Sequence, residues 1–170
     1  MKKEKMNDKG FSLVELIIVI AIMAVLVVVL APQYLKYVER SRNATDLQNA
    51  TAAVTACQVY AADPEAKETY TTGKYFTITV GKSGATVAGD NSAAASDALK
   101  EAAITTTDLK CKSKTKWDSY VITGTSDANG GITFTYTSTL GEGGKDNGEF
   151  AKAMVCLLYT SPSPRDRQKS

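Results

Sequence analysis

Residues 16–31 form an unbroken run of sixteen apolar residues, and no other feature constrains the chain as much. A stretch so uniformly apolar has no polar face to offer water, so lipid, other chains or a core must cover it. Counted from residue 11, the stretch has 21 residues. That is about 31 Å at 1.5 Å per residue, enough to cross a hydrocarbon core. Glu15 stands directly before the run. A charged group in a membrane helix costs roughly 2.5–3.5 kcal/mol on insertion scales. A carboxylate kept at such a place points to a function, and its partner should be sought.

The flanks sharpen the reading. Lys2, Lys3, Lys5 and Lys9 outweigh Glu4 and Asp8 before the run, which keeps the leader cytoplasmic by the positive-inside rule and puts the residues beyond the span outside. Between leader and run stands Gly10-Phe11-Ser12-Leu13-Val14-Glu15, and Pro32 comes directly after the run. An ordinary secretory signal peptide accounts for less. Val29-x-Ala31 has the small residues of a cleavage site, but Pro32 would block the cut and Glu15 would have no purpose.

As a set, residues 1 to about 60 resemble type IV pilins and related pseudopilins with their class III signal. The resemblance implies a prepilin peptidase that cuts after Gly10 and methylates the new N-terminal Phe11. It matches Glu15 to the family's acid five residues into the mature chain, and Pro32 to a proline just past the apolar run. Ser12 stands where many members carry Thr.

Residues 11–62 lack Gly and hold one Pro, so they read as one long helix, loosened at Pro32. Beyond the span, Leu47, Ala50, Val54, Cys57 and Ala61 recur at spacings of 3 and 4, an apolar stripe that leaves Arg40, Arg42, Asp46, Gln48 and Asn49 for other faces. Asp63-Pro64 ends the helix. Residues 75–80, 119–123 and 132–137 read as strands, with 127–131 a turn between the last two. Residues 92–103 read as a short helix, 141–148 as a loop and 150–155 as a final strand. The expected fold is α+β, a type IV pilin fold in which the second half of a long N-terminal helix packs on an antiparallel sheet. The expected parts are a leader (1–10), a transmembrane and assembly helix (11–32), an amphipathic continuation into the head (33–62), a β-rich head (63–155) and a tail (156–170). The tail resembles one translated frame of a sequencing-library adapter and reads as non-native sequence after about Val155.

Charge and chemistry narrow the function. The formal charge of +2 comes from the ends: leader and tail each contribute +2 and the rest −2. That balance speaks against general nucleic-acid affinity. The chain has no His, the usual triad base and commonest transition-metal ligand. Gly81-Lys82-Ser83 lacks the earlier glycine of a phosphate loop. Neither catalytic residues, nor a cofactor, nor a metal site is expected. Cys57 and Cys111 either form a disulfide closing about 55 residues, worth several kcal/mol, or are buried thiols. Lys110, Lys112, Lys114 and Lys116 alternate with other residues and on a strand would share one face, as an anion patch or a shielded sheet edge.

The function implied is a structural subunit of an extracellular type IV pilus. Its partners would be other pilin subunits, the prepilin peptidase, an assembly platform with its ATPase, and the membrane. The subunit would wait as a single-pass protein in the inner membrane before entering the pilus. The alternative is a pseudopilin of a type II-like secretion system or a DNA-uptake competence pilin.

Overall fold

The computed structural model describes residues 12–66, 68–140 and 146–160. It divides into two units, Met1–Val38 and Glu39–Ser170. The element order is α1 (Leu13–Ala62), β1 (Tyr75–Val80), β2 (Ala85–Ala88), α2 (Ser92–Glu101), β3 (Ser119–Ser126), β4 (Ile132–Thr139) and α3 (Glu149–Thr160).

In the first unit α1 is apolar all round. Its large apolar side chains between Leu13 and Leu30 are 48–74% exposed, so no part of the described chain covers them. The helix continues through Pro32. It is long and apolar enough to cross a membrane.

The second unit is built on a four-stranded antiparallel sheet of order β2-β1-β3-β4. Alternation places Phe76, Ile78 and Val80 of β1 and Tyr120 and Ile122 of β3 on the buried face. Ala50, Ala53, Val54, Cys57 and Tyr60 of α1 belong to the same core. Ala50 and Ala53 are fully buried. The buried positions of α1 are Asp46, Ala50, Ala53, Val54, Ala56, Cys57 and Tyr60; of the expected stripe, Ala50, Val54 and Cys57 are buried, Leu47 packs against the core and Ala61 is partly buried. Phe150 of α3 stacks on Tyr120 at 4.3 Å and meets Trp117 edge-on at 5.1 Å. Gly124 has to be glycine, because a Cβ there would sit 2.3 Å from the Phe76 ring.

Three local expectations change. Residues 150–155 are helix, not strand. Phe150 and Met154, four apart, are both fully buried, which is a helical period. Among the described side chains of α3, the buried ones precede Cys156. Residues 110–117 are not a strand either. The edge strand β2 is an addition to the expected elements; four residues of ATVA carry too weak a β signal to announce it. Residues 127–131 do turn between β3 and β4, with the Asp127 carboxylate accepting the N–H groups of Asn129 and Gly131 at 2.8 Å each.

Candidate assembly site

Glu15 lies in the first turn of α1, where it meets the exposed N–H groups of a helix start. Its carboxylate accepts the Ser12 backbone N–H at 3.0 Å. Ser12-x-x-Glu15 thus makes the acidic half of a capping box. Among the described residues Glu15 makes that hydrogen bond alone. A carboxylate offers about four acceptor positions, so most of its capacity is left for a group from elsewhere. Gly10 and Phe11, the expected cleavage and methylation positions, lie outside the described residues.

Two other carboxylates of α1, at the start of the second unit, behave in the opposite way. Asp46 is fully buried. It accepts the N–H groups of Lys112 at 2.7 Å and Ser113 at 2.9 Å, and the Trp117 indole N–H at 2.8 Å. The Cys111 thiol adds a weak contact at 3.6 Å. Seven residues earlier, Glu39 accepts the N–H groups of Lys114 at 2.6 Å and Thr115 at 2.9 Å, and the hydroxyls of Ser113 and Thr115 at 2.9 and 3.1 Å. Arg42 stands 3.5 Å from its other oxygen. Partial burial opposes the charge on Glu39, but these donors more than offset it and hold its pKa near 2.

Residues 111–117 are therefore a loop clamped around two carboxylates. The N–H groups of Lys112 and Ser113 bond to Asp46, those of Lys114 and Thr115 to Glu39, and those of Lys116 and Trp117 to the Ser113 hydroxyl, so the single strand face expected for Lys110, Lys112, Lys114 and Lys116 does not exist. Lys116 pairs with Glu149 at 2.8 Å. Lys110 is half-buried, and Lys112 and Lys114 are exposed. Lys82, in the β1–β2 turn, donates to the Ser113 carbonyl and pairs with Asp118 at 3.2 Å. It holds the loop from the other side and no phosphate-loop geometry surrounds it.

Asp46 has a readable signal that its charge hides. It lies four residues before Ala50, in phase with the buried positions 50, 53, 57 and 60. An acid in register with an apolar stripe is a buried acid, and a buried acid needs donors.

Cys57 and Cys111 are both buried and both free. Burial pushes the Cys57 thiol up to about 11 and the Cys111 thiol up to about 12, the latter helped by the neighbouring Asp46 charge. Cys111 also faces the Trp117 carbonyl at 3.7 Å. Each thiol is thus committed to its own surroundings.

Residues 5–31 match the prokaryotic N-terminal methylation motif. No curated protein and no solved structure matches the chain.

Proposed function

We propose that this chain, a type IV pilin-like prepilin or pseudopilin by the class III signal it carries, is the structural subunit of an extracellular pilus filament. The observation that carries the reading is Glu15 at the head of an apolar helix that no part of the described chain covers. The motif marks a structural, pilin-type chain, and the helix supports membrane anchoring.

The assembly step is derived from the groups present. Cleavage after Gly10 by a prepilin peptidase would free the Phe11 amine near the carboxylate of Glu15, the fifth residue of the mature chain. In lipid both charges are costly. When a subunit enters the filament, Glu15 of one copy neutralises the amine of its neighbour, and the pair sets the axial register. The apolar helices then pack side by side, held by van der Waals contact, since lipid and helix surfaces are about equally apolar. Pro32 removes one backbone donor and clashes with the preceding turn, which lets the helix adapt where the bundle ends.

The test is Glu15→Leu expressed beside an assembly machinery. The substitution removes the desolvation cost, so insertion and cleavage should proceed at least as well as in the wild type. Sheared filaments, counted by microscopy, should fall to few or none. Wild-type filament numbers from Glu15→Leu would refute the role given to Glu15. A mature wild-type chain that keeps Met1, or starts at Pro32, in mass spectrometry would refute the pilin reading as a whole.

A further inference from the structure

The ion pairs of the second unit among the described residues include Arg42–Glu39, Lys74–Asp90, Lys82–Asp118, Lys100–Asp97, Lys116–Glu149 and Lys152–Glu149. Of the charge they leave over, two lysines lie at one end of the stretch of α1 in this unit and four carboxylates at the other. Lys112 and Lys114 are exposed on the clamped loop, and their ammonium groups have no ion pair among the described residues. That loop is fixed to the helix at Glu39 and Asp46. The other end of the same helix runs into Asp63, Glu65 and Glu68, all exposed. Glu68 is tied back through its N–H to the Tyr60 hydroxyl at 3.0 Å. Asp127, on the β3–β4 turn, belongs to the same end, because Ser126 and Gly130 line one small cavity together with Asp63 and Glu68. None of these four carboxylates has an ion pair among the described residues; Lys67, the one cation in the 63–70 stretch, lies outside them.

From Glu39 to Asp63 the helix rises about 36 Å at 1.5 Å per residue. The two surfaces therefore cannot meet within one copy. Two copies can join them head to tail or as an antiparallel pair, and helices that share one direction in a membrane leave only head to tail. A contact between two different patches is heterologous, and when its rotation does not close it builds an open helical filament.

We propose that the Lys112–Lys114 loop of one copy docks on the acidic end of the next copy, Asp63, Glu65, Glu68 and Asp127. The proposal rests on the filament reading above and adds to it a contact outside the apolar helices. Single exposed ion pairs contribute little. Here the pairing repeats at every subunit, and its larger effect is to reject wrong registers by bringing like charges together.

Charge reversal tests this in the full chain with its assembly machinery. Lys112→Glu with Lys114→Glu should lower the sheared filament yield about fivefold or more while the amount of processed membrane subunit stays level. Glu65→Lys with Glu68→Lys should do the same. All four changes together restore complementarity and should return at least about half of the wild-type yield. Should a reversal lower the processed subunit, Lys112→Gln with Lys114→Gln replaces it, with a smaller loss expected. Unchanged yield in any of these pairs overturns the docking proposal and leaves the filament reading standing. Loss that the fourfold variant does not recover also overturns it, and is the result that binding of the lysines to anionic lipid would give. If the wild-type chain is processed and forms no filaments, the filament reading itself fails, and the docking proposal with it.

Discussion

Asp46→Ala should be the most damaging single change in the second unit. It leaves three well-bonded donors without an acceptor: the N–H groups of Lys112 and Ser113 and the indole N–H of Trp117. Each buried donor left unpaired costs about 1–3 kcal/mol. Lys112 is close enough to solvent for water to replace part of its loss, so a total of about 3–5 kcal/mol is expected rather than the upper sum. Domains of this size are stable by about 5–15 kcal/mol. With a urea dependence of about 2 kcal/mol per molar, the unfolding midpoint should drop by about 2 M. Trp117 is the single tryptophan of the chain and is itself one of the donors, so its emission reads the site directly. The measurement is a urea titration of the full chain in detergent, tracked by that emission. Asp46→Asn keeps one carbonyl oxygen and should fall between wild type and Ala. A midpoint shift below about 0.5 M for Asp46→Ala would refute the view that this carboxylate holds the loop.

Acid should loosen the same loop through Glu39. Its pKa is lowered from 4.5 to about 2 in the folded chain, so its contribution is fully present above about pH 4.5 and is lost as pH falls toward 2. The urea midpoint should decline over that window, and less steeply in Glu39→Gln; equal slopes would contradict the assignment. The thiols supply another check. Cys57 and Cys111 are buried with raised pKa values, whereas Cys156 is exposed. Iodoacetamide at neutral pH should label Cys156 in the native chain, and the other two only after unfolding. A Cys57–Cys111 disulfide found by mass spectrometry in protein from the oxidising side of the membrane would overturn the free-thiol arrangement.

Much of the architecture is legible in the sequence because its signals are redundant over many residues. An uninterrupted apolar run, the lack of Gly through residue 62 and three Thr-rich alternating segments each repeat one message several times, and α1, β1, β3 and β4 are their result. The misreadings fall where few residues carry the message. KCKSKTKW alternates as a strand would, yet four of its backbone donors go to Glu39 and Asp46, 66–76 positions away in sequence. No local pattern encodes a partner that distant. FAKAMV has β-compatible ends, but the four-residue spacing of Phe150 and Met154 carries more weight. Leu47 of the expected stripe does pack against the core, but a stripe drawn on hydrophobicity alone leaves the adjacent Asp46, which is fully buried, to another face.

The three carboxylates of α1 show what separates an internal anchor from an assembly group. Sequence position sets the cost of each charge, but satisfaction by its own chain decides its use. Asp46 is buried and accepts four contacts from one loop, so nothing remains for a partner. Glu39 accepts four more and is held ionised by them. Among the described residues Glu15 accepts one backbone N–H, at the start of a helix whose apolar surface the described chain leaves open. A carboxylate that costs so much in lipid and gains so little from the described chain would be stabilised most by a cation from another copy, the role proposed above for Glu15. That difference in satisfaction, more than the motif around it, gives the physical reason to place polymerisation at the head of this helix.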